Sequence, residues 1–322
     1  MTEQPLLFSS RSQQSYSLGG SFRVGTCTLI EAIDQRGQRV WIKQAPSDDE
    51  VAIARLRYEA IVLSKLTHAS VIRLLDRGRT SQCFFLVLEP VPGRPLRQII
   101  DSGPLALTLA SSLTMHLADL VLYLHRQNIV CRALPPDICY ADHLGRISVV
   151  DLGFAHDEMS LSFVDAMPVN GAYLVPEEAS GQAVDRRSDL YAYGTLVFEL
   201  FAGRPPFQGS NQGDLALQHL LTQPVQLASI RADVPPALSE LVQRCLAKAP
   251  RQRFTDGEEL LAALHQANAA SALSAAGAAP ETDSWRGLLR QFGGLSSGTT
   301  EAHKGTKAFG RSSMATLPRA GG

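Results

Sequence analysis

Lys43 and Glu59 are the first two residues whose types and spacing suggest chemistry. Lys43 ends a strand-like run that begins at Val40, and Glu59 lies sixteen residues later in a segment with helical periodicity. A lysine and a glutamate placed in this way can pair, and the pair holds the ammonium group where it meets the phosphates of a ligand. The pattern therefore predicts a lysine directed at phosphate groups.

The segments around this pair are predicted to be mostly β-strands. Residues 1–14 are polar and aperiodic, which predicts a flexible N-terminal arm. One helix, from about Asp49 to Leu66, carries apolar residues at spacings of three and four. The strands are predicted at Phe22–Ile30, Arg39–Lys43, Val71–Leu75 and Cys83–Glu89.

The pattern after Pro92-Gly93 is helical. The residues of one apolar stripe are Leu109, Leu113, Leu117, Leu120 and Leu124. Residues Leu190–Leu200 are apolar nearly all round, as expected of a helix in the centre of a lobe. The sequence thus predicts an α+β protein with a small β-rich N-lobe at 15–90 and a larger helical C-lobe at 91–266.

The C-terminal region differs in composition. From 267 to 322, Ala, Gly, Ser and Thr dominate without period, which predicts a disordered, low-complexity tail. Within it, residues 284–292 place Trp285, Leu288, Leu289 and Phe292 at helical spacing, with arginines between them. This short amphipathic segment is a candidate docking motif for a partner. The alternative is that it packs back on the folded domain.

Composition excludes several classes of protein. The 322 residues are 45% hydrophobic and carry a net charge of −1, so no overall field favours nucleic acid or an anionic membrane. No run approaches the roughly 18 apolar residues of a transmembrane helix. Five cysteines, without a CxxC pair, fit reduced thiols in a cytoplasmic protein. The histidines show no spacing typical of metal ligands, so no metal site is predicted.

Three further motifs give the chain a family resemblance. They are Cys131-Arg132-Ala133-Leu134-Pro135-Pro136-Asp137-Ile138, Asp151-Leu152-Gly153 and Val175-Pro176-Glu177. In this order the chain resembles the protein kinases, whose catalytic loop, magnesium-binding Asp-Phe-Gly and Ala-Pro-Glu motifs these segments match. The stretch from Val184 to Phe207 is most similar to bacterial serine/threonine (Hanks-type) kinases. The resemblance covers about residues 15–266 and implies a two-lobed, protein-kinase-like α+β fold.

The resemblance also implies that the catalytic residues have been lost. Where kinases have the aspartate that accepts the substrate's proton, this chain has Ala133. The family's phosphate-contacting lysine corresponds to Pro135, and the asparagine that holds the second magnesium corresponds to Ile138. A threonine that contacts the missing aspartate and lysine corresponds to Asn170. We therefore expect no intact catalytic residue.

The nucleotide site is expected to survive only as a remnant. Lys43, Glu59 and Asp151 remain, but the small residue and the aliphatic residue that sandwich adenine in kinases correspond to Trp41 and Tyr140. Two facing aromatic side chains would fill that slot. Leu18-Gly19-Gly20-Ser21-Phe22 is a degenerate glycine-rich segment, too far from Lys43 by about one turn. The alternative is that Trp41 swings outward and a nucleotide still binds.

The structural residues of the family are retained. Asp189 matches the aspartate that anchors the catalytic loop, and Glu177 with Arg253 matches a buried ion pair of the lower lobe. The positions of an apolar column that joins the lobes hold Leu63, Leu74, Cys131 and Leu152. A maintained scaffold with a lost active site predicts a function that depends on shape.

The leading hypothesis is a pseudokinase that acts as a signalling scaffold or allosteric regulator. Its expected partner is a protein, such as an active kinase or a phosphatase, and it requires no cofactor. The first alternative is an atypical serine/threonine kinase using ATP and Mg²⁺, with Asp137 or Asp142 accepting the proton. The second is an ATP-binding switch that retains Lys43, Glu59 and Asp151.

Arg132 offers one further regulatory hypothesis. In kinases this arginine can receive a phosphate placed on the activation segment, and Ser160 and Ser162 are candidate acceptors here. Phosphorylation would then order the segment. The alternative is an unmodified polar loop in which Arg132 makes an ordinary hydrogen bond.

Overall fold

The computed structural model describes residues 6–9, 14–24, 27–158 and 171–275. They form two lobes, which confirms the predicted α+β architecture: an antiparallel sheet with one helix, followed by a mainly helical part. The candidate residues at 160, 162, 170 and 284–292 lie outside the described residues.

The N-lobe is built on a six-stranded sheet with the order β1-β2-β3-β4-β6-β5. Its strands are β1 (Leu6–Ser9), β2 (Gln14–Val24), β3 (Cys27–Asp34), β4 (Arg39–Pro46), β5 (Leu74–Arg79) and β6 (Cys83–Leu88). Every neighbouring pair in this sheet is antiparallel. Strand β4 lies between β3 and β6, so Lys43 is placed at the centre of the sheet.

Three N-lobe predictions are corrected by this sheet. Residues 6–9 form β1 rather than part of a flexible arm, because the apolar run at 6–8 pairs with β2 and buries Leu7. The predicted strand Phe22–Ile30 is instead two strands, since Val24 pairs with Cys27 and the chain reverses between them. The predicted strand Val71–Leu75 corresponds to β5, which begins only at Leu74. Val71 forms an isolated bridge to Val149.

Helix α1 (Glu50–Lys65) lies where the sequence predicts it. The side chain of Asp49 caps its first turn by accepting a hydrogen bond from the backbone N–H of Ala52. Its buried face carries apolar residues together with Glu59, which is fully buried. A charged residue on the buried face requires a partner, and that partner defines the site.

The C-lobe holds the remaining helices of the described chain. They are α2 (Leu96–Asp101), α3 (Leu107–Arg126), α4 (Pro176–Ala179), α5 (Arg186–Ala202), α6 (Gln212–Leu221), α7 (Leu227–Ile230), α8 (Pro236–Cys245) and α9 (Gly257–Ala275). The short strands between the lobes are β7 (Arg94–Pro95), β8 (Ile129–Val130), β9 (Cys139–Ala141), β10 (Ile147–Val149) and β11 (His156–Asp157). In the described part, α3 is long and apolar enough to cross a membrane, but it packs against α5 and α9.

Helix α5 forms the centre of the C-lobe. Asp185 and Ser188 make a reciprocal capping box at its start, and Gly203, at φ 70°, ends it in the left-handed conformation. Nearly all of its side chains are buried, as the uniformly apolar run at 190–200 predicts. Asp189, in its first turn, therefore points from a rigid element toward the loop that follows β8.

Helix α9 extends further than predicted. The composition from residue 267 onward predicts a disordered tail, whereas α9 continues to Ala275. Alanine has the highest helix propensity of any residue, so an Ala-rich run continues a helix that tertiary contacts have already started. Ala267 is buried, and the Asn268 amide lies 3.3 Å from Met115 Sδ on α3.

His219 of α6 provides a pH-dependent contribution to stability. Burial, reinforced by the charge of Lys248, lowers its pKa from 6.5 to about 4. The unfolded chain therefore binds the proton more readily than the folded one. The resulting stability is complete above pH 6.5 and is lost as the pH falls toward 4.

We expect His219→Gln to lose less stability than wild type as the pH falls from 6.5 to 4. Urea unfolding at several values in this range measures the slope. His265→Gln, on an exposed position of α9, is the matched control and should keep the wild-type profile. Parallel profiles for wild type and His219→Gln would contradict the assignment.

Candidate functional site

Lys43 lies between two carboxylates at the junction of the lobes. Its Nζ is 2.7 Å from Glu59 Oε2 and 2.7 Å from Asp151 Oδ1. All three side chains are at least nine-tenths buried. Strand β4, helix α1 and the loop after β10 each contribute one of these residues. The structure thus brings together the three residues that the sequence analysis assigned to the remnant site.

Backbone groups complete this cluster. Glu59 Oε1 accepts the N–H of Leu152 at 3.1 Å, and Asp151 Oδ1 accepts the N–H of Gly153 at 2.8 Å. Although burial disfavours the charged ammonium, the two carboxylates raise the pKa of Lys43 above its ordinary value. Lys43 is therefore a buried cation that links α1 to the Asp151 loop.

Helix α1 makes further contacts with the segment that follows Asp151. The Arg55 guanidinium lies 4.6 Å from the centre of the Phe154 ring, and the Tyr58 hydroxyl accepts the N–H of Asp157 at 2.9 Å. Lys65 pairs with Asp157 at 3.2 Å. No sequence pattern predicts these contacts, because Arg55, Tyr58 and Lys65 are residue types that are ordinary for an exposed helix face.

Asp189 holds the loop after β8. Its two carboxylate oxygens accept the N–H groups of Cys131 at 2.8 Å and Arg132 at 2.7 Å. His125 Nδ1 accepts the N–H of Gly257, so its Nε2 carries the proton and donates to Asp189 at 3.1 Å. Arg132 has a φ of 67°, a conformation that these bonds hold in place.

The three positions where the family's catalytic residues are missing, Ala133, Pro135 and Ile138, lie in this same loop. Ala133 and Ile138 are buried, and the carbonyl of Pro135 accepts the backbone N–H of Ile138 at 3.2 Å in a tight turn.

Two carboxylates lie near this loop in sequence. Asp142 accepts the N–H groups of Leu144 and Arg146 and thereby closes the hairpin between β9 and β10. Asp137 faces Arg97, with Oδ2 3.8 Å from Nε.

Arg97 joins three separate segments beside this loop. Besides Asp137, its guanidinium donates to Glu199 of α5 at 2.6 Å and to the Tyr173 hydroxyl at 2.9 Å. Tyr173 also donates to Glu199. No sequence pattern predicts this network, since its members are far apart in the chain and belong to no motif.

An aromatic cluster borders the Lys43 cluster. The Trp41 and Tyr140 ring centres are 5.8 Å apart, and Phe22 meets Trp41 edge-on at 5.2 Å. Trp41 is 8% exposed and Tyr140 is 5% exposed, so neither ring points into solvent. The family resemblance predicts the pairing of Trp41 with Tyr140. It does not predict the contact with Phe22, which the strand pattern marks only as a β-forming residue.

The glycine pair does not form a loop. Gly19 and Gly20 lie inside β2, where the pairing with β3 is irregular between Leu18 and Ser21. The chain reversal lies later, between Val24 and Cys27, which removes the excess distance to Lys43 noted in the sequence. The degenerate glycine-rich segment Leu18–Phe22 therefore lies within a strand.

The lower-lobe ion pairs are also in contact. Arg253 Nη2 is 2.6 Å from Glu177 Oε1, with both side chains buried. Arg132 Nη2 is 2.8 Å from Glu178 Oε1, so Arg132 has an acidic partner within the described chain. Glu178 was not predicted from the sequence.

The predicted apolar column between the lobes is also in contact. One hydrophobic core buries Leu63, Cys131 and Leu152, and the half-buried Leu74 packs against it.

Comparison with known proteins identifies the family. Residues 20–267 match the family described as "Protein kinase domain". The chain belongs to the protein kinase family. It is 31% identical over 217 residues to serine/threonine-protein kinase PrkC of Bacillus subtilis, covering 66% of this chain and 34% of PrkC.

Two further kinases are similarly related. Probable serine/threonine-protein kinase PknB of Lactococcus lactis is 32% identical over 217 residues, covering 66% of this chain and 35% of that protein. Probable serine/threonine-protein kinase SCO3848 of Streptomyces coelicolor is 30% identical over 271 residues, covering 80% and 40%. The match therefore spans well under half of the length of these kinases.

Kinases bind ATP with magnesium, and the residues here fit that group only in part. Lys43 and Asp151 have the chemistry to contact phosphates and a metal ion. The aromatic rings of Trp41 and Tyr140 contact each other where the family motif places adenine. Ile138 offers no oxygen ligand to a second magnesium ion. The site therefore fits the phosphates but not the base or the second metal.

Proposed function

We propose that this chain is a pseudokinase that regulates a protein partner through its shape. The observation that carries the proposal is Ala133, whose methyl group stands where the kinase motif has its proton-accepting aspartate. A methyl group neither accepts a proton nor forms a hydrogen bond. Losing a general base costs a rate factor of about 10² to 10⁴, and the loss of positioning adds to this.

The carboxylates near Ala133 have other partners, which supports the proposal. Asp142 is fixed in its hairpin, where hydrogen bonds to Arg146 and Leu144 outweigh burial and lower its pKa. Asp137 faces the guanidinium of Arg97. Either residue would have to leave these contacts to serve as a base, so the atypical-kinase alternative requires rearrangement of the loop.

The scaffold supports a role in binding. Lys43 contacts both Glu59 and Asp151 directly. Helix α1 also contacts the segment after Asp151 through Arg55 and Tyr58. This arrangement holds α1 and the Asp151 loop together through protein contacts alone. We propose that the lobes present a fixed surface to a signalling protein, such as an active kinase or a phosphatase.

A nucleotide-binding switch is the second candidate function. It is favoured by the retention of Lys43, Glu59 and Asp151, the phosphate-directed part of the site. Such a switch requires ATP to displace Trp41 and to separate Lys43 from one carboxylate. We place either function in the cytoplasm, a proposal supported by five cysteines that all remain free thiols.

We expect Ala133→Asp alone to produce no phosphotransfer. The substitution returns a base, but Pro135, Ile138 and the aromatic cluster remain, so nucleotide and metal are still not positioned. Transfer of γ-phosphate from ATP to a generic protein substrate measures this, with Ala133→Asn as the control of matched size. Transfer by Ala133→Asp that Ala133→Asn lacks would show that the rest of the site positions nucleotide and metal, would contradict the occluded nucleotide site, and would leave Ala133 alone as the cause of inactivity.

A further inference from the structure

A long groove lies behind the segment that joins the two lobes. It consists of two clefts of about 560 and 620 Å³ that share His68, Ala69, Pro92 and Ser148. The apolar residues that line it include Leu63, Leu66, Val71, Leu74, Leu122 and Ile147. Both lobes contribute to this lining, so a segment bound here would contact each of them.

The groove carries one unpaired negative charge in the described chain. Asp119 of α3 is exposed and makes no ion pair with any described residue. The other charged pairs of the groove and its rim are Arg73 with Glu89, Arg126 with Glu258 and Arg146 with Asp142. The groove therefore suits an apolar ligand that carries a positive charge.

The described chain ends within reach of this groove. Helix α9 runs antiparallel to α3, because Gly257 contacts His125 and Asn268 contacts Met115. The neighbour of Met115, His116, lines the groove. At about 1.5 Å per residue, Ala275 lies roughly 10 Å beyond Asn268, on the side of Met115 that is away from the groove. Residues 276–283 can span up to about 26 Å, which is enough to turn back along α3 to the groove.

The sequence that follows this connection matches the groove. Residues 284–292 carry Trp285, Leu288, Leu289 and Phe292 at helical spacing, with Arg286 and Arg290 between them. Alone, so short a segment would hardly be helical in water, because helix nucleation is costly. A groove that accepts its apolar face would provide the missing stabilisation.

We propose that residues 284–292 bind in cis in the groove behind the lobe junction, with an arginine facing Asp119. The segment contacts both lobes and thereby limits their relative movement. A partner that competes for the groove or for the segment would release this restraint. The proposal does not depend on whether the chain binds nucleotide or transfers phosphate.

Tryptophan fluorescence tests whether the segment is bound. The chain has two tryptophans, so Trp41→Phe leaves Trp285 as the only one. We expect its emission to be blue-shifted and shielded from acrylamide. Adding Leu288→Asp with Leu289→Asp should shift the emission to the red and raise the quenching constant severalfold. Phe309→Asp with Leu317→Asp, also in the tail, is the matched control and should change neither.

A charge exchange tests where the segment binds. Asp119→Lys should expose Trp285, and Arg286→Glu with Arg290→Glu should restore its shielding in the Asp119→Lys background. An exposed Trp285 in the starting protein, or no effect of Asp119→Lys, would overturn the proposal. Shielding that disappears on dilution would assign the groove to the tail of a second copy, which also overturns binding in cis.

Hydrogen exchange on the full chain keeps the test independent of Trp41. Without that substitution, Leu288→Asp with Leu289→Asp should increase exchange in peptides covering 66–72 and 116–126, which line the groove. Unchanged exchange in both regions would contradict the proposal even if Trp41→Phe does not fold.

Discussion

Lys43→Ala is expected to lower the free energy of unfolding by about 3–5 kcal/mol, the cost of removing one partner from a buried ion cluster. Without the ammonium group, Glu59 and Asp151 remain buried near each other and both have lost a hydrogen bond of 2.7 Å. The fold then needs either protonation of a carboxylate or entry of water. Urea unfolding at neutral pH measures the loss.

Lys65→Ala is the matched control for this experiment. Lys65 lies on the last turn of α1 and pairs with Asp157 at 3.2 Å, but its side chain is 53% exposed. An exposed pair of this kind contributes about 0–1 kcal/mol. If Lys43→Ala proved no more destabilising than Lys65→Ala, the cluster would not be what fixes α1 to the Asp151 loop.

Trp41→Ala is expected to have two large effects. Truncating a buried tryptophan typically costs about 3–5 kcal/mol, because its neighbours relax only partly into the cavity. Here those neighbours include Phe22 and Tyr140, whose rings both contact Trp41. The same truncation opens the slot where the kinase family places adenine. We therefore expect the variant to gain a response to nucleotide.

Thermal unfolding with and without ATP and magnesium separates these effects. A ligand that binds only the folded state raises the melting temperature. We expect no rise for wild type and a rise of several degrees for Trp41→Ala. Tyr140→Leu is a milder variant that should respond in the same direction.

Phe85→Ala is the control, with a similar expected loss of stability. Phe85 is fully buried, but it belongs to a separate cluster on the other face of the sheet, where it contacts Tyr16. Its truncation should destabilise the protein without creating a response to nucleotide. A rise of several degrees for wild type, abolished by Lys43→Ala, would instead favour the nucleotide-binding switch.

The sequence predicted the parts of this site that depend on local pattern and motif order. Glu59 could be placed because helical periodicity puts it on the same face as Leu56 and Leu63, and that face had to be buried. Lys43 could be placed because it directly follows the apolar run Val40-Trp41-Ile42 of a predicted strand. Their separation along the chain brings them together once the helix packs on the sheet.

Other parts could not be predicted, because tertiary contacts determine them. The Ala-rich run after residue 266 has the composition of a linker and the propensity of a helix, and packing on α3 favours the helix. Gly19-Gly20 resembles a loop but forms an irregularity within β2. Arg97 meets Glu199 and Tyr173 only after three segments have packed together.

The position of Arg132 changes the regulatory hypothesis. Its guanidinium pairs with Glu178, on the helix that follows the activation segment, and both side chains are largely buried. A phosphate on the segment would have to compete with this carboxylate. The phosphate acceptors proposed from the sequence, Ser160 and Ser162, lie outside the described residues, so this part of the hypothesis stays a prediction.

Phosphotransfer by the unaltered full chain is the most direct measurement of the central claim. The purified protein is incubated with γ-labelled ATP, magnesium and a generic protein substrate, beside Asp137→Ala and Asp142→Ala. With Ala133 in place of the general base, we predict incorporation at the level of a protein-free blank for all three. Incorporation by wild type that Asp137→Ala abolishes would show that another carboxylate performs the transfer, and would contradict the pseudokinase account.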